Sequence, residues 1–187
     1  MKTYITLLCL ICSISPAVIA NEDTKALERE ASYLIKSFSK TLKSELKSAI
    51  NSGGLEAGVK VCNEQAPIIS QQISKQGWSV QRTSLRPRNI NNAANEWEYQ
   101  TLLEFEQSKE DGMDITQLTK SLKTDDTFRY MKAIPTAGLC LACHGSQIAP
   151  NVKQVIDRHY PNDTAVNFKL GDIRGAFTLL KQLNTDN

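Results

Sequence analysis

The sequence lacks the features that mark several large classes of protein. Its 22 Lys and Arg residues are nearly balanced by 20 Asp and Glu residues, so there is no excess positive charge for a nucleic-acid backbone, and no nucleic-acid partner is predicted. The chain has no internal repeat or low-complexity tract. With 41% hydrophobic and 22% charged residues, its composition excludes a disordered or fibrous chain. After the first twenty residues no stretch is apolar enough to predict a membrane span.

The first twenty residues have the pattern of a secretory signal peptide. Lys2 forms a basic start, an apolar run at 5–14 follows, and the small residue Ala20 stands at the expected cleavage site. We therefore predict a signal peptide at 1–20, cleaved after Ala20, and a periplasmic location for the mature protein. A retained N-terminal anchor is the alternative. The remaining residues, 21–187, are predicted to form a single domain.

The arrangement of cysteines points to a cofactor. Cys140 and Cys143 belong to the sequence Cys-Leu-Ala-Cys-His at 140–144, which has the C-x-x-C-H spacing of a c-type haem attachment site. Two thiols at this spacing bond to the vinyl groups of one porphyrin, and the adjacent imidazole binds the iron. The sequence therefore predicts one covalent haem c, with His144 as the proximal iron ligand. A zinc site would need a second close pair of ligands, which residues 21–187 lack.

Hydrophobic periodicity predicts several helices and a few strands. The N-terminal helix is long and ends at Asn51-Ser52-Gly53-Gly54, and Pro67 is predicted to open a separate helix that runs to Lys75. Long helices beside a few antiparallel strands indicate an α+β fold. The predicted helices are 23–50, 55–62, 67–75, 96–106, the haem segment and 150–159, and the predicted strands are 78–83, 128–134 and 173–180.

The order of several segments resembles the single-haem, PAS-like c-type haem domain family. Its members occur as free periplasmic proteins and as sensing domains of bacterial signalling proteins. The resembling segments are VCNEQAP at 61–67, RTSLRPRN at 82–89, the stretch 98–105, CLACHG at 140–145, YPNDTA at 160–165 and GDIRGA at 171–176. The resemblance implies a small antiparallel sheet wrapped by helices, one covalent haem c, and a redox or sensory function.

This chain departs from the family's pattern in its turns. Ile90 and the pair Ala93-Ala94 stand where the family tends to have proline, and Val166-Asn167 stand where it tends to have glycine. These departures concern loop geometry and leave the haem prediction intact. The chain also lacks a kinase or methyl-accepting region, so a sensory role would require a separate signalling partner.

The second axial position of the iron has several candidate ligands. Cys62 is the odd cysteine of the mature chain, and an unpaired thiol in an oxidising compartment needs an explanation, although a free cysteine is often a small buried hydrophobe. The family resemblance implies that Cys62 is the ligand, because it falls at the position of the family's cysteine ligand. His159 is the alternative. Met113, in a polar stretch, and Met131, in a predicted strand, are further candidates, and an open position remains.

Arginines near the first predicted strand are candidates for binding the haem propionates. A guanidinium group suits a carboxylate because it presents two parallel donors. Arg82 and Arg88 are predicted in this role, and Tyr160 and Arg174 are further candidates. Arg86 is predicted to lie in a solvated loop.

These observations predict a periplasmic monohaem cytochrome-like protein that transfers electrons or senses redox state. The alternative is a haem module that binds a gas or another ligand and signals through a separate partner. A haem peroxidase ranks last, because such an enzyme needs a general base on the open side of the haem, and the sequence offers no better candidate for it than His159. The sequence thus favours a carrier or sensor over a catalyst. Its partner would be a redox protein or a signalling protein, and the oligomeric state is not predicted.

Overall fold

The structure is a computed structural model that describes residues 16–183. Residues 1–15 of the predicted signal peptide lie outside this range. Between residues 16 and 183, no helix combines the length and apolar character that crossing a membrane would require.

Helix α1, Pro16–Ile73, is a helical hairpin. Gly53 and Gly54 depart from helical geometry, and Gly54 has a φ of 71°. A Cβ atom on Gly58 would lie 2.9 Å from Cγ1 of Ile50 and 3.1 Å from Cδ1 of Leu46. Residues so far apart in sequence do not touch along a straight helix that rises 1.5 Å per residue. The two arms therefore fold back on each other, and the helix break predicted at 51–54 is confirmed.

The prediction that Pro67 opens a separate helix is wrong, because Pro67 lies inside the second arm of α1. Proline removes one backbone hydrogen bond, which normally disfavours a helix interior. Ala66 and Ile69 on either side are almost fully buried, so tertiary packing holds this arm together across the proline. As a result, Cys62 lies on the same continuous arm that docks Ile69 into the core.

Four strands form one antiparallel sheet in the order β1-β4-β3-β2. They are β1 (Trp78–Thr83), β2 (Thr119–Lys123), β3 (Thr127–Pro135) and β4 (Ile173–Gln182). The predictions of β1, β3 and β4 are confirmed to within two residues at each end. Strand β2 was not predicted because its sequence, TKSLK, is polar, as suits a largely exposed strand at the edge of a sheet.

Helices cover both faces of the sheet. One face packs against both arms of α1 through Phe38 and Ile69, which contact a cluster that includes Val80 and Phe128. The other face packs against α2, Glu96–Glu110, in a cluster that includes Met131. The predicted α+β fold, with a small antiparallel sheet wrapped by helices and a long N-terminal helix, is confirmed.

The antiparallel order brings three chain segments to one end of the sheet. Thr83, at the end of β1, pairs with Ala176 near the start of β4, and Pro135, at the end of β3, pairs with Ile173. Helix α3, Gly138–His144, follows β3 directly, and helix α4, Pro150–His159, follows α3. Two short 3-10 helices, Ile90–Asn92 and Ile115–Gln117, lie in the remaining connections.

Gly175 allows β4 to approach the end of β1 closely. Its φ is 151°, and a Cβ atom there would lie 2.3 Å from the carbonyl oxygen of Thr83. The Oγ of Ser84 donates to the carbonyl of Arg174, the residue before Gly175, at 2.9 Å. A side chain at position 175 would therefore disturb both the sheet and the loop that follows β1.

We expect Gly175→Ala to lower the free energy of unfolding by about 2 kcal/mol or more, because it adds backbone strain and a clash with a backbone oxygen. Gly138→Ala is the matched control, since nothing lies within 4 Å of a Cβ atom at that position. Urea unfolding of the purified protein measures both variants. Equal stability of Gly175→Ala and the parent would show that the close approach is not required.

Candidate cofactor site at one end of the sheet

The three cysteines after the signal region lie near one another. Cys140 and Cys143 are on α3, and Cys62 comes from the second arm of α1. The Cys62 thiol is within electrostatic reach of Cys140, and that of Cys143 is within reach of both other cysteines. None of the three forms a disulfide within residues 16–183. The fold therefore brings Cys62 to the predicted haem-attachment helix from a distant part of the sequence.

Helix α3 places the attachment residues on one side. Cys140, Cys143 and His144 are spaced three and four residues apart, so they share a helix face. The Cys143 side chain packs against a cluster formed by Val59 of α1, Val152 and Ile156 of α4, and Tyr160. Across the described part of the chain, no three His, Cys, Asp or Glu side chains converge as ligands of one ion.

The His144 imidazole is oriented for binding a metal through Nε2. Its Nδ1 donates a hydrogen bond to the carbonyl oxygen of Ala165 at 2.9 Å. Burial, together with the nearby Arg174 and Arg88, lowers the pKa of His144 to about 2. The ring is therefore neutral, and the lone pair on Nε2 is available. A histidine that donates its other nitrogen to a backbone carbonyl is the usual arrangement of a metal ligand.

The segment 163–168 holds the attachment helix in place. The backbone N–H of Phe168 donates to the carbonyl of His144 at 3.0 Å, and that of Asn167 donates to Gly145 at 3.2 Å. The Phe168 ring also meets the His144 ring edge-on, with 6.2 Å between centroids. Asn167 has a φ of 61°, a conformation that asparagine adopts more readily than most residues. This loop therefore orients His144 through both backbone and side-chain contacts.

Arg88 connects this loop to α3. Its Nε donates to Oδ2 of Asp163 at 3.2 Å, and its Nη2 donates to the carbonyl oxygens of Cys143 and Ala165. Both charged side chains are more than nine-tenths buried. Arg88 therefore has internal partners that the sequence did not predict, and its contact with a propionate stays a prediction.

Arg82 and Arg174 leave the site short of negative charge. Burial lowers the pKa of Arg82, and burial with neighbouring arginines lowers that of Arg174 to about 10. No carboxylate lies within 4 Å of either guanidinium among the side chains at 23–183. The Nε of Arg174 is buried without a hydrogen-bond partner. Both arginines are half-buried, and a partly desolvated guanidinium without a carboxylate partner is costly, so these residues fit a group that carries carboxylates, as haem does.

Cys62 and Tyr160 lie beside the same arginines. Burial raises the pKa of the Cys62 thiol, and Arg82, Arg88 and Arg174 partly offset that rise. Burial, followed by the effect of Cys62, raises the pKa of Tyr160 to about 12. Both groups are therefore neutral at ordinary pH, and the arginines provide the positive charge that would favour a thiolate.

The other candidate ligands are placed differently. Met113 is 56% exposed on the surface, and Met131 is fully buried in the cluster beneath α2. His159 is half-buried, and its Nδ1 lies 3.3 Å from Nδ2 of Asn63, the residue after Cys62. His159 is thus near the site, whereas neither methionine belongs to the cluster that contains Cys143.

Two contributors to the site, Asp163 and Phe168, are not predicted from the sequence. For Asp163 a signal exists, because an aspartate side chain commonly accepts a hydrogen bond from the backbone N–H two residues later in a loop. Asp163 accepts such a bond from Ala165 at 2.8 Å. Arg86 is exposed, as predicted for a solvated loop. Its guanidinium also lies 3.7 Å from the centroid of the Phe168 ring and donates to the carbonyl of Val166.

Comparison with known proteins agrees with this architecture. The crystal structure of the cyanobacterial haem protein Tll0287 matches with a TM-score of 0.58 and 20% sequence identity, covering 93% of this chain and 100% of that one. A comparison with curated proteins finds no match. A family described as Tll0287-like matches residues 15–180, which confirms the resemblance seen in the ordered sequence segments. Since the match spans nearly the whole chain, this protein belongs to the Tll0287-like family.

Proposed function

We propose that this protein is an exported, periplasmic monohaem c-type cytochrome-like protein that transfers electrons or senses redox state. The observation that carries the proposal is the C-x-x-C-H helix whose His144 is held, through Nδ1, with Nε2 free to bind iron. Its structural relative Tll0287 is described as a haem protein, which supports the same cofactor here. Haem bound at this site would supply an iron ion that gains or loses one electron.

Each group of residues has a separate task in this proposal. Cys140 and Cys143 would form the two thioether bonds to haem, and His144 and Cys62 would be the chain's two iron ligands. Arg82 and Arg174 would meet the propionates, which would supply the negative charge that their surroundings lack. Two iron ligands from the chain would leave no position for a substrate, which favours electron transfer over catalysis.

Ligand sensing is the second candidate function, and the location of Cys62 on a different helix from His144 favours it. His144 is on α3, whereas Cys62 is on the second arm of α1, which reverses direction at Gly53-Gly54. A change in the contact between Cys62 and the cofactor would therefore act on the longest helix of the protein. That helix could present the change to a separate signalling protein, or the same surface could serve a redox partner.

We expect Cys140→Ser combined with Cys143→Ser to abolish covalent haem, because no thiol remains at the attachment motif. Haem staining after denaturing electrophoresis measures attachment. Cys62→Ser is the matched control and should keep the stained band, since both attachment thiols are intact. Full-yield, haem-stained protein from the double variant would contradict covalent attachment at this motif.

We expect Cys62→Ser to raise the reduction potential by at least about 59 mV, which for one electron is a tenfold weaker preference for the ferric state. The reason is that a thiolate stabilises ferric over ferrous iron. The variant should also take up added imidazole, as followed by absorption spectra. His159→Gln, the control for the alternative ligand, should keep the parent potential and spectrum. If Cys62→Ser behaves like the parent, the thiol only packs in the core.

Carbon monoxide separates the two candidate functions. If electron transfer is the function, the reduced protein should keep its absorption spectrum under carbon monoxide, because both axial positions stay filled. This unchanged spectrum is the result we expect. A new spectrum of the parent protein would favour the ligand-sensing function, and the same titration of Cys62→Ser provides a positive control for an open position.

A further inference from the structure

We propose that Arg88 and Asp163 are positioning residues that hold the carbonyl of Ala165 against the imidazole of His144. Together they would set the orientation of the iron ligand. This inference rests on the proposed role of His144 as that ligand.

The carbonyl oxygen of Ala165 accepts two hydrogen bonds. One comes from Nδ1 of His144 at 2.9 Å, and the other comes from Nη2 of Arg88 at 3.2 Å. The backbone N–H of Ala165 donates to Oδ1 of Asp163 at 2.8 Å. Arg88 therefore holds the carbonyl group of Ala165, which orients His144, and Asp163 holds the backbone N–H of Ala165.

The same pair also holds the helix that carries His144. Oδ2 of Asp163 accepts from Nε of Arg88, and Nη2 of Arg88 donates to the carbonyl of Cys143, the residue before the ligand. The Arg88 guanidinium thus connects helix α3, which carries His144, with the loop that carries Ala165. Because a charge-assisted bond is about twice as strong as a neutral one, this connection resists rotation of the imidazole.

Burial makes this arrangement effective. The side chains of Arg88 and Asp163 are 8% and 7% exposed, and their ion pair measures 3.1 Å. In such surroundings water competes poorly for the carbonyl of Ala165. Removing either partner would leave the other buried and unpaired, so the two residues should act as a unit.

Arg86 provides a contrast in the same loop. Its Nη1 donates to the carbonyl of Val166, one residue beyond Ala165, and its guanidinium stacks on Phe168. Removing Arg86 would also delete a positive charge and a bond to this segment, but it would leave the Ala165 carbonyl and its two hydrogen bonds in place. It therefore separates the proposed positioning from a general effect of charge or loop packing.

The experiment measures hydrogen exchange of the His144 Nδ1 proton by NMR in the reduced holoprotein. We expect Asp163→Asn and Arg88→Met to speed exchange about tenfold or more, because losing a charge-assisted hydrogen bond favours local opening. Arg88→Lys keeps the charge but has no fork that could hold two carbonyls, and its rate should fall between those of the parent and Arg88→Met. Arg86→Met should exchange within twofold of the parent.

Electron paramagnetic resonance of the oxidised protein gives a second readout. We expect one sharp low-spin signal from the parent and from Arg86→Met, and broadened or multiple signals from Asp163→Asn and Arg88→Met, because their His144 ring would take several orientations. The double variant Arg88→Met with Asp163→Asn should have signals no broader than those of the more strongly affected single variant. If exchange and line width in Asp163→Asn and Arg88→Lys match the parent, the inference is wrong, even if those variants melt at a lower temperature.

His144→Ala distinguishes failure of this inference from failure of the proposed function. If His144→Ala keeps the parent's low-spin spectrum, His144 is not the ligand and the proposed function fails with it. If His144→Ala loses that spectrum while the Asp163 and Arg88 variants retain parental exchange and line width, only the positioning role is overturned.

Discussion

The hydrogen bond from His144 to the carbonyl of Ala165 is the interaction on which the candidate site depends. It selects the tautomer and leaves Nε2 free, but it exists only if two segments that are separate in sequence meet. The sheet makes that meeting possible, because its antiparallel order brings the end of β3 and the start of β4 to one place. Helix α3 follows the end of β3, and the loop that contains Ala165 precedes the start of β4.

Charge imposes the second constraint on the site. Three arginines surround the cysteines, whereas only Arg88 has a carboxylate partner, Asp163, among the described residues. The protein alone therefore keeps Arg82 and Arg174 half-buried without a carboxylate partner, at a cost that a bound group with carboxylates would reduce. The same positive charge would favour a thiolate at Cys62, so propionate binding and sulfur ligation would support each other.

The helical hairpin explains how a residue from early in the chain reaches the site. The arms of α1 pack closely where Gly58 has no side chain to separate them. The second arm then runs past Cys62 and through Pro67 to Ile69, which is buried against the sheet. The position of Cys62 is thus determined by packing along this arm, and not by residues next to it in sequence.

The sequence by itself determined the features that are local. The Cys140, Cys143 and His144 motif is recognisable because one short helix must present all three residues to one cofactor, and the amphipathic helices and buried strands follow from hydrophobic period. Tertiary structure decided the rest. Edge strand β2 is polar because none of its residues is buried, and so it lacks the alternation of apolar and polar residues that marks a half-buried strand. The arm of α1 continues through Pro67 because packing outweighs one lost hydrogen bond. Likewise, the roles of Asp163, Arg88 and Phe168 arise from contacts between distant segments, which no local pattern records.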